Sequence, residues 1–417
     1  MRRRVFQFDN DVSRKRRQKL MPRNIVICCD GTSNQFTGDI TNVMRLVKVA
    51  IHDPERQLVY YDPGVGTLPE PSIWSRIGQS LWKAADLAFA VGLTRKVENA
   101  YTYLMDVWEP RDRVFLFGFS RGAYTVRLLA GMLHQVGLLP RGNKNLVPYS
   151  LRLFGGLRKR LNSETNKGNN LYWQDCNSFR NTFATPIKGP RNRRFPIHYL
   201  GVWDTVKSVG WVWDPATYPF TARNPSINRI RHAVAIDERR WFFRQNLMFP
   251  KPLTQDLEER WFPGSHGDIG GGYAKEEGDA WRSAFSWIVN EATNAGLAVN
   301  PERLSLLLSP SHTPPWAERI HDSLTWKWWP AELFPKLPPA KPGQKFRWPQ
   351  LGLGRNRTLP VDAVFDHAAL MRVRDETLSY APNNIKEQLL EEIRRLAKAP
   401  ESWADSRIVT SGNENSL

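Results

Sequence analysis

The stretch that most constrains the fold is Arg113–Leu133, RVFLFGFSRGAYTVRLLAGML. Val114, Phe115, Leu116 and Phe117 form an unbroken apolar run, the pattern of a strand buried on both faces of a parallel sheet. Gly118-Phe119-Ser120-Arg121-Gly122 follows at once, and Ala123, Val126, Leu129, Ala130 and Leu133 then recur at helical spacing. A G-x-S-x-G set between a strand and a helix is the context of a nucleophile elbow. So sharp a turn leaves no room for side chains on either side of the serine. Ser120 is therefore predicted to sit in strained backbone with its hydroxyl at the edge of the sheet. The N–H groups that open the following helix lie beneath that hydroxyl with partial positive charge. Without the flanking strand and helix, Ser120 would be an ordinary loop serine; with them it is the candidate nucleophile.

The rest of the chain repeats the alternation. Asn24–Cys29 and Gln57–Tyr61 read as buried strands, and Thr41–Ile51 between them has helical spacing. Ile73–Leu93 is apolar and tryptophan-bearing, a lid helix or a packing helix, and Thr94–Val107 continues as a helix into the serine strand. Val147–Leu161 is a basic helical stretch, followed by a polar, Pro/Gly-spotted insertion over Asn162–Arg194. Pro196–Trp203 restores a strand that ends in Asp204; Ser226–Ile236 reads as a helix. Glu259–Phe262 reads as the last strand, emptying into Pro263–Tyr273, PGSHGDIGGGY, before a helix over Asp279–Ala295. This pattern predicts an α/β fold, a mostly parallel sheet flanked by helices, with a helical insertion and an irregular C-terminal appendage. The expected division is a basic arm over 1–23, a catalytic domain over 24–300 with insertions at about 66–93 and 141–195, and a Pro/Trp-rich appendage over 301–417. Within the appendage Asn384–Lys398 reads as an amphipathic helix.

Composition narrows the function classes. The net charge of +18 implies attraction to polyanions, such as an anionic membrane face, acidic substrates or nucleic acid. No nucleic-acid motif interleaves aromatic residues with the basic ones, so nucleic acid is the least favoured partner. Cys28, Cys29 and Cys176 make neither a disulfide framework nor a C-x-x-C zinc pair. Met1–Arg23 carries nine Arg and Lys residues with no apolar core behind them, which is not the pattern of a secretory signal. No run of about 18 apolar residues is present, so no spanning helix is expected. These features lead us to expect a cytoplasmic protein, peripheral at a membrane or delivered by a non-classical secretion system.

A serine hydroxyl is a poor nucleophile at neutral pH and needs a base, most often a histidine held by a carboxylate. Of the eight histidines, His266 follows a strand within a glycine-rich stretch and is placed to reach the sheet's carboxyl edge. His134 lies about 21 Å along the serine's own helix by helical rise. His198 falls inside a strand and His232 on the predicted helix; His52, His312, His321 and His367 lie in loops or beyond the sheet pattern. Asp204 directly follows a strand between the serine and His266, giving the chain order Ser120, Asp204, His266 of an α/β-hydrolase. Asp268 is the rival acid, with a turn-capping role as its plainer reading. Backbone N–H groups of Arg121 and of the turn at Gly31 and Thr32 are the candidate oxyanion donors. Asp30 either shapes that turn by accepting N–H bonds or belongs to a routine turn. Asp30, His266 and Asp268 carry oxygen and nitrogen donors, but no second histidine stands at metal-ligand spacing, and Gly270-Gly271-Gly272 lacks the lysine of a phosphate loop. The chemistry read here calls for no metal and no organic cofactor.

Five stretches together resemble a known family: CDGTSN (Cys29–Asn34), GFSRGAYTVRLLAGML (Gly118–Leu133), GVWDTVKSVG (Gly201–Gly210), RHAVAIDERR (Arg231–Arg240) and WFPGSHGDIGGGY (Trp261–Tyr273). They are similar to the α/β-hydrolase domain of type VI secretion lipase effectors of the first class, a domain also widespread in bacteria and fungi. The resemblance implies Ser120 as nucleophile, Asp204 as triad acid and His266 as base. It also implies hydrolysis of lipid esters, with phospholipase A activity. The expectation is a serine hydrolase of lipid or phospholipid acyl esters. The alternative is a catalytically silent protein that docks its basic, Trp-rich surface on anionic membranes.

Overall fold

The computed structural model describes residues 22–31, 40–64, 76–156, 166–187, 194–206, 210–211, 214–215, 218–248, 255–309, 313–333, 335, 348–360, 362–385 and 390. Its centre is a seven-stranded sheet built from β1 (Asn24–Cys29), β2 (Gln57–Asp62), β3 (Arg113–Phe119), β4 (Ile197–Trp203), β5 (Ile227–Ala235), β6 (Asp256–Phe262) and β7 (Val364–Phe365). The spatial order is β2-β1-β3-β4-β5-β6-β7, and every neighbouring pair runs parallel. All carboxyl ends therefore lie along one edge, where ligands of such sheets bind.

Both faces of the sheet are covered, which is why its central strands read as continuous apolar runs. Alternate residues of β1 show the division. Ile25 and Ile27 pack with α2 (Arg76–Val107), α3 (Ser120–Val136), α4 (Val147–Gly155) and α5 (Asn166–Phe183). Val26 and Cys28, with Phe115 and Phe117 of β3, pack with α1 (Asn42–Val49) and α7 (Trp281–Asn294). Each fully buried side chain of this size contributes about 2 kcal/mol through removal of apolar surface from water. A third, smaller core joins Val234, Ile236 and Trp261 to Ala363, Phe365, Ala369 and Leu370, the last two on α9 (His367–Arg374, with α8 at Pro301–Leu307).

Three elements differ from the sequence reading. Ser226–Ile236 is not a helix: Ile227–Ala235 is β5, hydrogen-bonded between β4 and β6. Its apolar residues fall at spacings that suit a helix, but a strand buried on both faces has no polar alternation to betray it. Asn166–Phe183 forms a helix within the stretch read as a polar insertion. Glu259–Phe262 is part of a longer strand and is not the last one, since β7 pairs with it through Arg260–Val364 and Trp261–Phe365. The C-terminal stretch thus contributes to the sheet itself. Most of the predicted helix over Asn384–Lys398 and the whole of Met1–Met21 lie outside the described residues. Among the described residues no helix is long and apolar enough to cross a membrane. The three cysteines are buried and unpaired with one another.

Candidate active site

Ser120 is the first residue of α3, immediately after β3. Its φ of 57° lies in the left-handed region, which a non-glycine residue adopts only when its surroundings hold it there. The two glycines of the motif explain the confinement. A Cβ on Gly118 would stand 2.6 Å from the Gly122 carbonyl oxygen, and one on Gly122 would stand 2.1 Å from that of Cys29. The end of β1 therefore presses directly on the first turn of the serine helix.

Asp204 directly follows β4, fully buried and also at a positive φ, 37°. Its Oδ1 accepts the Ala235 N–H at 3.0 Å from the end of β5, and its Oδ2 accepts from His266 Nδ1 at 2.5 Å. His266 is the first residue of α6 (His266–Gly270), a one-turn helix where the sequence suggested only a loop. Ser265 caps that turn, with the Asp268 carboxylate closing a capping box. The His266 backbone N–H donates to Glu238 Oε2 at 3.2 Å, which fixes the start of the turn from the side of β5. The imidazole packs against Phe119, the neighbour of Ser120, at 4.6 Å between ring centres, and meets Phe243 edge-on at 4.9 Å.

Electrostatics favour an ionised acid beside a neutral imidazole. Burial alone would raise the Asp204 carboxyl, but the Arg357 guanidinium and the His266 hydrogen bond hold it well below the usual carboxylate range. Burial lowers His266 below its ordinary value and outweighs the opposing pull of Asp204. With Nδ1 donating to Asp204, Nε2 is the acceptor, and among the described residues it makes no hydrogen bond. Burial pushes the Arg121 guanidinium, next to Ser120, down to about 10, so it remains a cation at neutral pH. Glu238 is fully buried and held below its ordinary value by Arg240 against the effect of burial.

The other predicted residues fall as follows. Asp268 does not face His266: its carboxylate accepts from the Ser265 N–H and Oγ at 2.8 and 2.9 Å, and from the His321 N–H and Nδ1 at 3.0 and 2.7 Å. Asp30 shapes the turn after β1, accepting from Gly31 N–H at 2.7 Å, Thr41 Oγ1 at 2.6 Å and the Tyr61 hydroxyl at 2.9 Å. The Gly31 N–H, expected as an oxyanion donor, is thus engaged by Asp30. Thr32, its expected companion, lies outside the described residues. Among the described residues no group of three or more His, Cys, Asp or Glu side chains is placed to hold a metal ion.

Two contributors went unread in the sequence. Glu238 lies in the IDERR end of a quoted motif, where its charge beside a strand end was the available signal. Arg357 had no such signal. It stands in the C-terminal stretch, 153 residues from Asp204, and forks onto both carboxylate oxygens at 2.5 and 2.9 Å.

With this geometry in view, the relatives of the chain take on meaning. It is 33% identical over 243 residues to the uncharacterized protein YEL023C of Saccharomyces cerevisiae, covering 56% of this chain and 34% of that protein. The chain therefore spans about a third of the length of that curated relative. Among solved structures it is similar to an uncharacterized protein from Pseudomonas aeruginosa, with 19% identity and a TM-score of 0.38 over 72% of this chain and 50% of that one. It is also similar to the Tle1 effector bound to the VgrG spike of the Type 6 secretion system, with 17% identity and a TM-score of 0.33 over 61% of this chain and 51% of that one. Residues 23–291 match the catalytic domain of the T6SS Tle1-like phospholipase effectors. By that match, which spans well over half of its residues, the chain belongs to the type VI secretion Tle1-like phospholipase effector family.

Proposed function

We propose that the protein is a serine hydrolase that cleaves acyl esters of lipids, phospholipids foremost, with Ser120, His266 and Asp204 as its triad. The observation that carries this reading is the buried hydrogen bond from His266 Nδ1 to Asp204, with the imidazole packed on Phe119, the chain neighbour of a strained Ser120. In the proposed reaction Ser120 Oγ attacks the ester carbonyl carbon while His266 Nε2 takes its proton. Asp204 keeps the proton on Nδ1 and stabilises the imidazolium that forms. The Arg121 N–H, at the start of α3, is the proposed donor to the developing oxyanion; with the Gly31 N–H held by Asp30, the second donor is proposed to be the Thr32 N–H. The imidazolium then protonates the departing alcohol, leaving an acyl-serine. Water, deprotonated by His266, attacks that acyl group, and the fatty acid leaves as Ser120 regains its proton.

Family membership favours a lipid substrate, and transfer into a target by a secretion apparatus belongs to the same proposal. A catalytically silent membrane protein would draw on the exposed Trp326 and Trp348 but would have no use for a desolvated His–Asp pair. A fluorophosphonate probe tests the reading. Labelling confined to Ser120, together with fatty acid released from phospholipid vesicles, is the expected result. A folded protein that is neither labelled nor able to release fatty acid would refute it, and vesicle binding without hydrolysis would favour the silent alternative.

A further inference from the structure

The triad acid is held by a residue from outside the family-matched region. Asp204 offers four acceptor positions, and all are taken in pairs: Oδ1 by Ala235 N–H and Arg357 Nη1, Oδ2 by His266 Nδ1 and Arg357 Nη2. The same guanidinium donates to the carbonyls of Ala235 and Phe243, and the Phe243 ring is the one that meets His266 edge-on. Arg357 therefore ties the acid, the end of β5 and one wall of the imidazole into a single unit. Its side chain is 3% exposed, so these are desolvated contacts with a fixed planar geometry.

The backbone that delivers Arg357 is pinned on both sides. Glu332 accepts from the Gly354 N–H through its side chain and from the Gly352 N–H through its carbonyl, and its other carboxylate oxygen accepts from Trp241 N–H. Leu353 and Gly354 both have positive φ, which makes the turn leading into Arg357 tight. Downstream, Gln245 Nε2 donates to the Thr358 carbonyl, and Asn384 bridges the carbonyls of Arg357 and Ile236. So many fixed points for one exposed strap indicate that the position of the guanidinium matters.

We propose that Arg357 is a positioning residue for ester hydrolysis: its fork locks the Asp204 carboxylate onto His266 Nδ1 and makes the C-terminal strap part of the catalytic machinery. The proposal rests on the triad reading above. Its electrostatic consequence follows from the charged groups around the pair. Asp204 faces Arg357 and His266, while His266 faces Asp204, Glu238 and Arg240, with the Asp268–His321 pair one turn further on. With Arg357 present, part of the Asp204 charge is already balanced, so an imidazolium gains less from it. Without Arg357 the carboxylate has His266 as its nearest cation partner, protonated imidazole is favoured, and the base is blocked at higher pH.

Arg357→Met and Arg357→Lys test this on the full chain, with pH profiles of kcat/KM and the fraction labelled by fluorophosphonate as readouts. Arg357→Met is expected to lower kcat on the order of 10- to 100-fold, as misplacement of a catalytic group by about 1 Å does. Its acid limb is expected to move up by about one pH unit. Arg357→Lys keeps the charge and loses the fork, so its limb should stay at the wild-type position while kcat still falls. Loss of folded protein alone would reduce the labelled fraction without moving the limb. If Arg357→Met folds and keeps both kcat and limb, the proposal is overturned. If Arg357→Met does not fold, Arg357→Lys decides: an unchanged kcat overturns the proposal and a lowered kcat at an unmoved limb supports it. An active Ser120→Ala would sink the triad reading beneath it, whereas an inactive Ser120→Ala beside an unaltered Arg357→Met sinks this inference alone.

Discussion

Three carboxylate–histidine pairs stand among the described residues, and the proposed chemistry uses one of them. His232 Nδ1 bonds Glu259 at 2.8 Å, much as His266 Nδ1 bonds Asp204. The difference lies in the second nitrogen. His232 Nε2 already accepts the Thr205 N–H at 3.1 Å, so its lone pair is occupied, and the ring sits in mid-strand with no exposure. Among the described residues His266 Nε2 has no partner, and its ring packs on Phe119, the chain neighbour of Ser120, at 4.6 Å. A third pair, Asp268–His321, repeats the lesson: its Nδ1 is bonded, its Nε2 is buried with no partner among the described residues, and its ring is stacked on Tyr273 at 3.9 Å. A carboxylate beside a histidine fixes a tautomer; a base also needs an open nitrogen next to something worth deprotonating.

The contrast can be broken most sharply at the proposed triad. Ser120→Ala, His266→Ala and Asp204→Asn are each expected to lower ester hydrolysis roughly 10³- to 10⁴-fold, measured as kcat/KM on a soluble ester. At the second pair the effect should change kind. His232→Ala takes a buried hydrogen-bond partner from the Glu259 carboxylate, which keeps the Met248 N–H and the nearby Arg127 charge, so stability should fall by roughly 2 kcal/mol in urea unfolding, with activity per folded molecule within a few-fold of wild type. Full stability with lost activity would mean that His232 belongs to the chemistry. At the third pair Asp268→Asn weakens a helix cap and a charged hydrogen bond, at a cost of about 1 kcal/mol, and should spare most hydrolysis. A collapse of activity there would move the triad acid from Asp204 to Asp268.

The pH profile sharpens the same comparison. Because burial depresses His266, kcat/KM should be level through neutral pH and fall only on the acid side, below the ordinary imidazole value of 6.5. Stability should follow the same direction. A depressed histidine resists a proton that the unfolded chain accepts, and a depressed Asp204 loses its paired charge as pH drops, so both weaken the fold in acid and neither does in base.

What the sequence disclosed tracks how local each signal is. The strand, GFSRG and helix of the elbow lie within one short stretch, and the steric reason for its glycines was legible before any coordinate. That Asp204 and His266 meet at one edge was legible, because residues that follow buried parallel strands share the sheet's carboxyl edge. β5 was not, because INRIRHAVA is covered on both sides and its apolar spacing fits a helix equally well. Arg357 was beyond reach: an arginine in a proline-rich run looks like any solvated cation until folding carries it across 153 residues to a carboxylate. β7, two residues long, exists only because Trp261 and Arg260 offer it an edge.

That small strand bears on how the protein can be cut. The family match stops at residue 291, yet β7, the core around Phe365 and Ala369, and the Arg357 clamp all lie beyond it. A fragment ending at the match would bare the flank of β6, an open row of unpaired N–H and C=O groups that invites self-association. Clumping or inactivity of such a truncation would then mark where the folding unit ends, and would leave the chemistry of the intact chain untouched.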